Sequence, residues 1–132
     1  MSHCSMVAYG QVREKMRPMT GPSPDNMYVR LNQQLAQARQ RGDLSEQADR
    51  QQQLGLLLYH QGNYASGIRH LLHAQSILRR TNQADRLAEN LNQLGTVYYY
   101  NRQPRLARRQ FDEAEAIYQR TTNWLGLAQT YG

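Results

Sequence analysis

Cysteine, phenylalanine and tryptophan each occur once in 132 residues, and proline four times. Lys15 is the single lysine, and every other basic residue is arginine. With Cys4 alone, one chain can form neither a disulfide nor a thiolate metal site, which fits a reducing compartment. No apolar run approaches the roughly 20 residues that a membrane span needs. The N-terminal stretch also lacks the continuous apolar segment of a secretory signal. The expectation is therefore a cytoplasmic protein that does not engage a membrane.

Charge and hydropathy restrict the partners and the shape. The formal net charge is +6 with charged residues at 20%, which brings nucleic acids and acidic proteins into view. Yet the arginines are strewn from Arg30 to Arg120, several beside acidic residues, and a phosphate-binding surface clusters its charge. On that ground nucleic acid is not expected as the partner. Mean hydropathy is low, −0.84, and glutamine and asparagine fill the gap. So little apolar mass suits an elongated, high-surface architecture better than one thick core.

Residues 1–26 hold Pro18, Gly21, Pro22 and Pro24 and no sustained period, so they are expected to be a flexible leader with at most a helical turn near Gln11–Met16. Beyond them the chain matches itself. Leu54-Gly55 falls on Leu94-Gly95, Tyr59 on Tyr99, Leu71 on Phe111, Ala74 on Ala114 and Ile77 on Ile117, all forty residues apart without a gap. The match continues to Leu87-Ala88 and Leu127-Ala128. Each period divides into two helical patterns. The first carries Ala48, Gln51, Leu54, Gly55 and Leu58; the second carries Tyr64, Ile68, Leu71, Leu72, Ala74, Gln75 and Leu78. "HQGNY" at 60–64 and "TNQAD" at 81–85 are the breaks, and Pro104 suits a first helical position. The expected organisation is a half repeat at 27–41, repeats at 45–81 and 85–121, and the start of a further repeat at 125–132. Gly55, Gly95, Ala74 and Ala114 sit where the paired helices must approach closely. A helix pair cannot bury its stripe alone, so such pairs stack into an all-α solenoid of antiparallel helices.

No catalytic, cofactor or metal site is expected. His70 and His73 share a helix face at a spacing of three, but no carboxylate or thiol stands at ligand spacing beside them. Asp112 and Glu113 are expected in ion pairs with Arg108 and Arg109 one helical turn earlier, not in acid–base chemistry. The Arg41-Gly42-Asp43 tripeptide occupies the slot of an inter-helix turn.

The residues Leu54-Gly55, Gly62, Tyr64, Gly67, Leu71 and Ala74, with Leu94-Gly95, Tyr98, Ala107, Phe111 and Ala114, resemble the tetratricopeptide repeat. Its usual period is shorter. The forty-residue period is similar to the subgroup in G-protein-signalling modulators, kinesin light chains and bacterial regulators and sensor kinases. The resemblance implies a right-handed superhelical stack and a non-catalytic module for protein–protein contacts. It places Asp49, Gln52, Leu56, Tyr59 and His60 on a concave groove, and Glu89, Asn92, Thr96, Tyr99 and Tyr100 at the equivalent places. Leu56, Thr96 and Gln52 differ from the asparagine and lysine with which relatives clamp the terminal carboxylate of heat-shock proteins, so that ligand is not expected. The expected partner is a peptide or helix laid in the groove, within a larger signalling or regulatory protein. The alternatives are self-association through the last helix, giving a homo-oligomer, and arginine-mediated binding of nucleic acid or another anionic surface.

Overall fold

The computed structural model describes residues 24–121, and the helical turn expected near 11–16 and the further repeat expected at 125–132 lie outside them. Five helices follow one another: α1 (Pro24–Arg41), α2 (Leu44–His60), α3 (Tyr64–Arg80), α4 (Ala84–Tyr100) and α5 (Pro104–Thr121). Among the described residues there is no strand, and no helix is long and apolar enough to cross a membrane. The first helix begins at Pro24, inside the stretch expected as leader. Proline fits there because a first-turn N–H has no intrahelical acceptor and its φ is already helical.

All four connections use one device. Gly42, Gly62, Asn82 and Arg102 adopt positive φ, at 67°, 80°, 54° and 62°, and stand twenty residues apart. After each of the four, the chain folds back onto the helix it has just left, beginning with Asp43 N donating to Ala38 O at 3.0 Å. Asn63 N donates to Leu58 O at 2.8 Å, Gln83 N to Leu78 O at 3.3 Å and Gln103 N to Tyr98 O at 2.9 Å. One helical carbonyl is thereby satisfied at each end and the next helix is sent back antiparallel. The forty-residue period is two of these twenty-residue units. Asp43, within the Arg-Gly-Asp tripeptide, caps α2 by accepting the Glu46 N–H at 3.1 Å.

Packing follows the glycines. A Cβ on Gly55 would lie 2.7 Å from Leu71 Cγ and 2.9 Å from the Gly67 carbonyl oxygen; one on Gly95 would lie 2.6 Å from the Phe111 ring. These positions let α2 cross α3, and α4 cross α5, at a separation that any larger residue would open, at a cost of about 1–3 kcal/mol. Leu54, Leu71, Leu91 and Leu94 are wholly buried, and the core runs on through Ile68, Val97 and Tyr98. Each such leucine contributes about 1.5–3 kcal/mol. Leu72 departs from expectation and is exposed. The buried stripe of α3 is Gly67, Ile68, Leu71, Ala74, Ile77 and Leu78. Leu72 lies one step of about 100° past Leu71, on the outer side.

The stack is asymmetric. Backbones of α2 and α4 approach one another, whereas those of α3 and α5 do not. Long side chains bridge that wider gap: Gln75 Nε2 donates to Gln110 Oε1 at 3.2 Å, and Arg79 grips Glu113 with two bonds of 2.6 and 2.8 Å. The ion pair expected between Arg109 and Glu113 does not form, nor does Arg108–Asp112; Glu113 faces the neighbouring repeat instead. Its carboxyl is held below the ordinary value by the hydrogen bond from Arg79 and further by Arg120. The cross-repeat geometry offers Glu113 a bidentate fork that a one-turn neighbour on the same helix does not.

Candidate functional site

The first helices of the two repeats, α2 and α4, carry the residues expected to face a groove, and the structure divides these ten into three groups. Asp49, Gln52, Leu56 and Glu89 line one cavity of about 300 Å³ between the helices. Tyr59, His60, Tyr99 and Tyr100 form an aromatic chain at the helices' C-terminal ends. Its ring centroids are 5.0 Å apart for Tyr59–His60, 5.8 Å for Tyr59–Tyr100 and 5.5 Å for Tyr99–Tyr100. Asn92 and Thr96 belong to neither group. The Thr96 hydroxyl donates to the Asn92 carbonyl at 3.0 Å, and Asn92 Nδ2 reaches the Tyr118 hydroxyl at 3.5 Å.

The helical period accounts for part of the division: Thr96 shares the face of Glu89 and Gln93 although it joins neither group, and Tyr99 lies about 100° from Tyr100. Residues 52, 56 and 60 of α2 share one face, as do 86, 89, 93 and 100 of α4. Opposed across the α2–α4 gap, they make a strip that is polar at one end and aromatic at the other. Tyr98 turns inward and is buried, while its neighbours Tyr99 and Tyr100 remain 64% and 53% exposed. Burial, and the nearby Tyr100 and Tyr64 hydroxyls, push the Tyr59 phenol above its ordinary value.

Four participants were not expected. Tyr64, assigned to helix packing, joins the ring chain at 5.8 Å from Tyr59 and 6.3 Å from Tyr100. Arg86 ties the repeats together, bonding the Asp49 carboxylate, the Gln83 amide and the Ser45 hydroxyl, the last at 3.0 Å. Gln53 and Gln93, one period apart, both line the cavity. Gln93 Oε1 is buried and has no hydrogen-bond partner. The self-match pairs Gln53 with Gln93, and that was the one signal available for them.

Beneath the groove, amides satisfy one another. Asn90 is fully buried; its Nδ2 donates to Gln52 Oε1 at 2.8 Å and to the Leu71 carbonyl at 3.0 Å, and Gln75 Nε2 approaches its Oδ1 at 3.5 Å. The carboxamide oxygen of Gln52 is thus turned into the fold. In the first repeat buried Gln51 contacts His70 Nδ1 at 2.7 Å. Burial, and then the charges of His73, Arg69 and Arg39, hold the His70 ring below its ordinary pKa.

The arginines are sorted although their order along the chain is scattered. The groove helices α2 and α4 carry Glu46, Asp49, Asp85 and Glu89 against Arg50 and Arg86. The second helices α3 and α5 carry seven arginines against three carboxylates, and α3 has no acidic residue. Helical division thus assigns to α3 and α5 seven of the arginines that sequence order scatters.

An inner rail formed by α2 and α4, an outer rail formed by α3 and α5, and small residues where the paired helices cross define a helical-repeat solenoid. The tetratricopeptide repeat family model matches residues 44–120, more than half of the chain, and the protein belongs to that family. Such repeats generally mediate protein–protein interaction and not catalysis. No match was found among curated proteins or among solved structures.

Proposed function

We propose that the chain is a non-catalytic interaction module that binds a peptide or helix of a protein partner along the α2–α4 strip, in the cytoplasm, as part of a signalling or regulatory protein like those with the forty-residue period. The observation that carries this reading is the exposed Tyr99–Tyr100 pair continuing from the cavity of Asp49, Gln52, Leu56 and Glu89. Rigid aromatic rings with polar tips offer large contact area at small entropic cost, and a polar slot beside them fixes register. Asn92 and Thr96 act beneath or beside the strip, holding its wall. The test is capture of partners by the wild-type chain and by Tyr59→Ala and Tyr100→Ala variants whose helix content is unchanged. Loss of the same captured protein in both supports the site, and undiminished capture by both removes it.

A second reading has its own observation. Tyr59 is half-buried against Tyr64 and Tyr100, but its copy Tyr99 is exposed beside Pro104, Ala107 and Phe111. The flank that stacks in the first repeat is open in the second. A further helix of the same chain or a second copy would cover it. Concentration-dependent mass from light scattering decides between these: a constant monomer at high concentration ends the self-association reading.

A further inference from the structure

We infer that the outer face formed by α3 and α5 is a second docking surface, distinct from the groove, and that it receives an acidic helix of a protein partner. Two arginine pairs mark it. Arg69 and Arg80 on α3 are exposed, and so are their copies Arg109 and Arg120, one forty-residue period later on α5. Eleven residues separate the members of each helix, which is three turns within about 20° of the same face and about 16 Å of rise. Two parallel rows of guanidinium groups therefore stand at matched heights on adjacent repeats.

Nothing acidic interrupts α3. On α5, Glu113 is already held by Arg79, while Asp112 and Glu115 line the opposite flank with Tyr99 and Phe111. Between the two arginine levels the exposed positions are Leu72, His73, Ser76 and Arg79 on α3 and Asp112, Ala116 and Gln119 on α5, with Leu72 39% exposed. A helix laid along α3 has the same rise per residue, so carboxylates eleven residues apart meet both levels, and an apolar residue about one turn from the Arg69 level meets Leu72. The guanidinium fork binds carboxylate bidentately. The gap between α3 and α5, bridged by side chains and not closed by backbone contact, gives that helix a trough.

The observations favour protein over nucleic acid. Single-stranded nucleic acid is held by aromatic platforms along a continuous basic track. Here the tyrosine rings with mutual contacts lie on α2, α4 and the first residue of α3, at the groove end. The outer face instead offers separated basic ends, with Leu72 and Ala116 exposed between them.

The experiment measures binding of the full chain to an alanine-leucine helical peptide bearing glutamates eleven residues apart. A peptide of the same composition with the glutamates half that distance apart and an oligothymidylate serve as comparators, at about 50 mM and about 300 mM salt. The expected result is at least about tenfold preference for the matched peptide, lost in Arg69→Glu/Arg109→Glu and kept in Tyr100→Ala. Arg69→Gln/Arg109→Gln, a milder change on the same exposed positions, is expected to weaken binding in the same direction, which guards against a folding defect. Equal binding of the two peptides, absence of binding at low salt, or tighter binding of the oligonucleotide with the same arginine dependence would each overturn the proposal.

Discussion

Asn90 on α4 donates to the backbone carbonyl of Leu71 on α3 at 3.0 Å, so a buried side-chain amide joins one repeat to the next. The same nitrogen bonds Gln52 Oε1 at 2.8 Å, which anchors the floor of the groove. Replacement by leucine strands the Gln52 oxygen and crowds the site; Asn90→Leu is expected to lower stability by about 1–3 kcal/mol in urea unfolding. Asn90→Asp is expected to cost at least as much, because it buries a carboxylate and removes the donor. Unchanged stability in both variants would show that this amide does not hold the repeats together.

The forty-residue period and the two-helix division were legible because helical phase and self-similarity are properties of the one-dimensional chain. Asn90 was not. Its equivalent in the first repeat is Arg50, so the self-match gave no signal, and a lone asparagine on an amphipathic helix reads as solvated until its facing turn is known. The ion pair of Glu113 was missed for a related reason. Spacing on one helix suggested Arg109, but the wider α3–α5 gap presents Arg79 at a better angle. The aromatic end of the strip was expected only from the resemblance, whereas Arg86 and Gln93 join it only when two repeats face each other.

Arg102 holds φ at 62° where the equivalent turn of the first repeat has Gly62. A side chain in this left-handed region carries a steric cost of about 1–2 kcal/mol that glycine avoids. The turn's hydrogen bonds are backbone bonds and one from Asn101 Nδ2 to Gln103 Oε1 at 2.8 Å, so none of them requires the arginine side chain. Arg102→Gly is expected to raise stability by about 0.5–1 kcal/mol, after the larger entropy loss of glycine on folding is deducted. A fall in the denaturation midpoint would mean that the arginine side chain contributes more than its backbone costs.

His70 sets a pH dependence. Its folded-state pKa lies below the ordinary 6.5 through burial first, and then through His73, Arg69 and Arg39. The unfolded chain therefore takes up this proton more readily than the folded one. The contribution of neutral His70 is complete above the ordinary value and is lost as pH falls through it toward the lower folded value. The thermal midpoint is expected to decline as the solution is acidified from about pH 7 to about pH 5, across the ordinary histidine range. His70→Gln, which keeps a polar partner for Gln51, should flatten that decline. An equally steep decline in the variant would assign the effect to other groups.

Gln93 presents the opposite case to Asn90. Its Oε1 is buried at the cavity wall with no hydrogen-bond partner, while Gln53, one period earlier, has its Oε1 engaged by Arg50 at 2.6 Å. An unsatisfied buried acceptor costs about 1–3 kcal/mol relative to a solvated one. Leucine is one atom shorter than glutamine but branched and apolar, and the cavity already holds Leu56, Leu78 and Ala48 to receive it. Gln93→Leu is therefore expected to stabilise the fold by about 1 kcal/mol, read as a higher urea midpoint at unchanged slope. If the groove binds a partner through a donor directed at this oxygen, the same variant weakens capture while gaining stability. Opposite signs in the two measurements identify a residue retained for binding at the expense of the fold. A variant that loses both would place Gln93 with the structural amides beneath the groove.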